Sequence, residues 1–98
     1  MPPSLPAPPP LELLQSTHRF PCRFTFKVIG LDVEEFSLRA VTAVCCALPA
    51  GTTPDCSTRQ TANGRHIAVT IEPEVHSAEQ VLAIYAQLQR LEGLVLLL

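Results

Sequence analysis

Tryptophan is missing from this chain of 98 residues, tyrosine occurs once and phenylalanine four times. The core must therefore be aliphatic, and a surface that stacks nucleic-acid bases on aromatic rings has little to draw on. An excess of either charge is missing too. Seven basic and nine acidic side chains leave a net charge of −2, whereas nucleic-acid-binding domains carry a clear basic excess. No apolar run reaches the roughly 18 residues of a spanning helix. The opening residues 1–6 lack the basic and apolar regions of a secretory signal. The four cysteines, Cys22, Cys45, Cys46 and Cys56, form no CxxC pair. Cys45 and Cys46 adjoin within an expected helix, where a vicinal disulfide does not fit. A reducing, cytoplasmic setting with no membrane association is the expectation.

Catalytic patterns are also lacking. Glu34 and Glu35 are adjacent on an expected helix and diverge, and Glu72 and Glu74 flank Pro73 at a strand end. No phosphate loop, triad or acid/base pair is present. His18, Cys22, His66 and His76 have no zinc-site spacing, so no metal and no cofactor is expected. The chain reads as a non-enzymatic protein.

What is present is a clear order of elements. Six of the ten prolines fall in residues 1–10, so residues 1–17 read as a flexible Pro-rich tail ahead of one domain at 18–98. A strand is expected over 22–29, with Phe24, Phe26 and Val28 inward and Arg23, Thr25 and Lys27 outward. A helix follows over 32–48, capped by Asp32, with Val33, Phe36, Ala40, Val41, Val44 and Leu48 as its apolar stripe and Glu35–Arg39 as a surface ion pair. Strands over 56–62 and 65–72 flank a two-residue turn at Asn63-Gly64. Ser77 and Gln80 form a capping box for a helix over 77–91, and an apolar strand occupies 94–98. Strand–helix–hairpin–helix–strand is the ferredoxin-like βαββαβ layout. The expected fold is an α+β two-layer sandwich, a four-stranded antiparallel sheet of order 4-1-3-2 with two helices on one face.

Three segments carry a resemblance: residues 18–30 (HRFPCRFTFKVIG), 63–71 (NGRHIAVTI) and 77–85 (SAEQVLAIY). With the apolar last strand they resemble the YbeD-like family of small uncharacterised proteins over 18–98. The family's pattern differs at His66, where it usually has tyrosine, and at Ala68, where it often has serine. The resemblance implies a ferredoxin-like fold similar to the ACT regulatory domains. The family's genes in some bacteria neighbour lipoate-attachment genes, which implies a regulatory role.

Two candidate sites emerge. Gly30 and Asp32 match the turn with which ACT domains bring backbone close to an amino-acid ligand, although Val33-Glu34-Glu35 replaces the second glycine. A strand-ending glycine and a helix cap account for the same residues. The open sheet face is the other. Pairing of 61 with 66 and 59 with 68 gathers Arg59, Thr61, His66, Ala68 and Thr70 with Arg23, Thr25 and Lys27, a basic surface for an anionic ligand or acidic partner. Beside it, Leu94, Leu96 and Leu98 point one way and Val95 and Leu97 the other, an apolar edge strand that needs a cover. The primary expectation is a protein-interaction module working through Arg23, Lys27, Arg59, His66, Leu94, Leu96 and Leu98, with a homodimer through the edge or open face. The alternative is a dimeric ACT-type sensor of a carboxylate metabolite at Gly30. Nucleic acid is not an expected partner.

Overall fold

The computed structural model describes residues 8–61 and 63–98. In chain order it holds α1 (Leu11–Thr17), β1 (Cys22–Arg23), β2 (Phe26–Leu31), α2 (Phe36–Cys45) and β3 (Asp55–Gln60). Then come β4 (His66–Glu72), β5 (Glu74–Val75), α3 (Ala78–Leu88) and β6 (Leu94–Leu97). The main sheet is antiparallel with strand order β3-β4-β2-β6, and β1 and β5 make a separate two-stranded ribbon. Strict alternation puts Phe26, Val28, Ile67, Val69 and Ile71 on one sheet face. They share a core with Phe36, Ala40 and Val44 of α2 and Val81, Ile84 and Leu88 of α3. Helices thus cover one face and leave the other open. Each fully buried aliphatic or phenyl side chain contributes about 1.5–3 kcal/mol.

The expected first strand is interrupted. Cys22 pairs with Val75 and Phe26 with Ile71, so the register is continuous across the gap. Opposite Phe24 stands Pro73, which accepts the Phe24 amide at 3.0 Å but has no N–H to return. The ladder therefore loses a bond there and splits into β1 and β2.

The first crossover helix starts four residues later than expected, at Phe36. Asp32 is not its cap. Its amide donates to the Arg65 carbonyl at 3.0 Å and its carboxylate accepts from the Gln60 side chain, so Asp32 ties the end of β2 to the β3–β4 hairpin. Glu34 and Glu35 then take left-handed conformations, φ 53° and 54°, each costing about 1–2 kcal/mol outside glycine. Arg39 offsets that cost. Its Nε donates to the Glu34 carbonyl at 2.9 Å, its guanidinium reaches the Glu92 carbonyl at 3.0 Å, and it lies over the Phe36 ring. The expected ion pair with Glu35 is not among the salt bridges of the described residues. Val33, left outside the helix, is exposed.

The α3 start agrees with its sequence signal. The Ser77 hydroxyl accepts the Gln80 amide at 3.1 Å, and the Gln80 side-chain oxygen accepts the His76 amide at 2.6 Å. Replacing Ser77 with alanine is expected to lower stability by about 1 kcal/mol in urea denaturation, with aspartate retaining most of it. An alanine variant as stable as the parent would show that the cap is idle.

Residues 1–17 are not uniformly a tail. Residues 1–7 lie outside the described residues, but 11–17 form α1, whose Leu14 is buried and which packs on α3. The hairpin turn is longer than the expected Asn63-Gly64 pair. Gly64 donates to the Thr61 carbonyl at 2.9 Å, and of the two turn residues only Gly64 has positive φ. A two-residue type I′ turn requires both. The last residue of the expected 56–62 strand, 62, lies outside the described residues.

Candidate functional site

The open sheet face is built by the residues that alternate with the core. Register sets them in rows. Arg59, Ala68, Ile29 and Leu96 run across β3, β4, β2 and β6, and Ser57, Thr70 and Lys27 form the next row. Leu98 extends that row, since its amide and carbonyl both bond Lys27, at 2.8 and 3.3 Å. The Leu31–His66 pair lies beyond Ile29 and Ala68. Small Ala68 and Thr70 make the floor of a depression of ≈ 360 Å³, walled by Ser57 and Arg59 on one side and Lys27, Ile29 and Leu98 on the other.

Of the expected basic residues, Lys27 and Arg59 are exposed on this face, and neither has a salt bridge or side-chain hydrogen bond among the described residues. His66 is half-buried beside Leu31. Arg23 does not join them as a free charge. It sits in the β1 ribbon, where its guanidinium pairs with Asp55 and approaches Glu72 at 3.9 Å. Thr25 likewise donates to the Glu72 carboxylate at 3.1 Å. The lower end of the face thus sets one arginine against two carboxylates, and the free cations lie nearer its centre.

The edge strand differs from its expected pattern as well. Val28 pairs with Leu97 and Ile29 with Leu96, but Gly30 pairs with Leu94, so Val95 is an extra residue in a bulge. A bulge reverses the alternation on its far side. Leu94 therefore packs against the core while Leu96 and Leu98 remain on the open face. Because Leu98 turns its amide and carbonyl towards β2, those of Leu97 point away, along an edge that no strand of the described residues pairs. Ile29 and Leu31 complete the apolar strip. Sequence reasoning passed over both, although continuing the alternation of Lys27 two residues at a time reaches them.

Gly30 is buried, and a Cβ there would fall inside van der Waals contact with the Phe36 ring. Packing alone thus accounts for this glycine. Asp32 is held through its amide by the Arg65 carbonyl and through one carboxylate oxygen by the Gln60 side chain.

Elsewhere, His18 and Tyr85 pack around Phe24 and Phe26, and burial lifts the Tyr85 phenol above its ordinary pKa. No group of three or more metal-ligating side chains occurs among the described residues. Within them, no helix is long and apolar enough to cross a membrane.

The profile of the family described as "Protein of unknown function (DUF493)" matches residues 15–98. A UPF0250 protein of Shewanella piezotolerans is 38% identical over 74 residues, 76% of this chain and 82% of the relative. UPF0250 proteins of Shewanella woodyi and Shewanella putrefaciens are 35% and 32% identical over the same shares. The YbeD-like resemblance is thereby confirmed, and the chain belongs to this family of proteins of unknown function.

Proposed function

We propose that the chain is a non-enzymatic protein-binding module that acts through the open sheet face and the adjoining β6 edge. The observation that carries this reading is a continuous exposed surface. Leu31, Ile29, Leu96 and Leu98 form an apolar strip next to Lys27 and Arg59, which have no salt bridge among the described residues, and the strip ends at β6, whose outer edge pairs with no described strand. Large apolar residues grouped beside an open edge are costly to leave facing water and are typical of association surfaces. A partner strand added at β6 would satisfy the outward groups of Leu97 while its side chains extended the strip. A second copy, joined edge to edge about a two-fold axis, is one such partner.

The test is site-specific photo-crosslinking in living bacterial cells. A photoreactive residue at Leu96 or Arg59 is expected to give discrete protein adducts, including an adduct of twice the chain mass where two copies join. The same residue at Glu79 or Ala83, on the exposed side of α3, is expected to give none. Adducts of equal yield from both surfaces, or none from the sheet face, would remove this reading.

A further inference from the structure

We propose that the depression on the open face is a receptor for a carboxylate side chain, an aspartate or glutamate carried by a partner protein in a segment whose neighbouring residues are apolar. This rests on the protein-binding reading and names the chemistry of its partner.

The argument begins with where charge is left over. The chain is acidic overall, and two of its arginines are engaged, Arg23 by Asp55 and Glu72 and Arg39 by backbone carbonyls. Lys27 and Arg59 are not. They lie two strands and two residues apart, a diagonal of about 12 Å between Cα positions at ordinary strand spacings. Both side chains are long enough to converge above the midpoint. That midpoint is the floor formed by Ala68 and Thr70, low enough for an anion to sit between the cations. The hydroxyls of Ser57 and Thr70 flank the same spot and have no hydrogen bond among the described residues. Two cations and two hydroxyl donors around one depression form a receptor for a carboxylate.

The surroundings select the carrier. A phosphate of nucleic acid would satisfy the cations, but among the described residues the face offers a base only the half-buried His66 imidazole and no Phe, Tyr or Trp ring. Phe24 and Phe26 pack towards Tyr85 and the core. A free small carboxylate would leave Ile29, Leu96 and Leu98 in water and would compete poorly with salt in so open a site. An apolar segment with one acidic residue uses both halves of the surface.

The experiment is an NMR titration of the isotope-labelled full chain with two acetylated heptapeptides. One alternates leucine with glutamate, and the other has glutamine at each glutamate. The glutamate peptide is expected to shift the amides of Ser57, Arg59, Ala68 and Thr70 saturably, and the glutamine peptide to bind about tenfold more weakly. The double substitution Lys27→Gln with Arg59→Gln, at two exposed positions, is expected to abolish the difference while leaving the core signals in place. Equal affinity for both peptides, unchanged preference in the double variant, or no saturable shift at millimolar peptide would overturn the proposal. Hexanoate binding as tightly as the glutamate peptide would overturn the protein origin of the carboxylate. Failure here with position-specific crosslinks retained at Arg59 and Leu96 would leave a binding module whose partner is not acidic.

Discussion

Substituting Gly30 with alanine is expected to destabilise the protein by about 3 kcal/mol, a large share of what a domain this small possesses. The reason is local and steric. Gly30 lies on the covered face of β2, and the Phe36 ring occupies the place where its side chain would be. Phe36 is fully buried in the core, so the ring cannot swing aside without displacing its neighbours. Even one methyl group must then move either the strand or the start of α2. A fall in melting temperature of more than about 12 °C is expected, at 4–8 °C per kcal/mol for this size. The same substitution in a Phe36→Leu background should cost much less, since the clashing ring atoms are gone. That non-additivity separates the clash from any effect of the backbone. A Gly30→Ala protein melting within about two degrees of the parent would refute this account of the glycine. A loss that persists undiminished with leucine at 36 would do the same.

The other large effect is expected at Leu14. This side chain is 2% exposed, whereas its neighbour Leu13 is 51% exposed. A seven-residue helix is too short to persist in water on its own, so α1 exists because Leu14 and the half-buried Leu11 pack into the core. Leu14→Ala should cost about 2–3 kcal/mol by loss of buried methyl groups and the cavity left behind. The cost is capped by the free energy of undocking α1, because the segment can detach before the sheet unfolds. Amide exchange across residues 11–17 should therefore accelerate more than exchange in β4. Leu13→Ala is expected to change stability by less than about 0.5 kcal/mol. Equal effects at the two leucines would mean that α1 is not held by its buried face.

These two residues also mark where sequence pattern stops being informative. Period-2 alternation in β4 and helical spacing in α3 reflect burial against one continuous layer, and both elements lie where the pattern puts them, except that α3 ends at Leu88 rather than at 91. Leu14 follows a run of prolines in a segment too short to show a period, so its burial depends on a docking site supplied by distant α3. The late start of α2 was hidden for a similar reason. Asp32 has the right spacing for a cap, but the long-range hydrogen bonds with Gln60 and Arg65 claim it first. On the open face, Lys27, Arg59 and His66 were legible because a hairpin register propagates simply. The neutralisation of Arg23 was not, since it depends on Asp55 being brought across from β3. An unbroken apolar run such as 94–98 gives no sign of a bulge, because either face accepts its residues. Hence Leu94 was assigned to the wrong side while Leu96 and Leu98 were not.

Arg39 has a consequence for how chain length can vary in this fold. One guanidinium holds the carbonyl of Glu34, in the connection leading into α2, and that of Glu92, in the connection leading into β6. Two loops distant in sequence thereby share a single fastening, and an inserted residue in either would have to break it. Among the described residues the connection between α2 and β3 has no such side-chain fastening at Pro49, Ala50 and Gly51, and the hairpin tip exposes Asn63 and Gly64. Indels should accumulate at those two places, while the pair of loops fastened by Arg39 keeps its length.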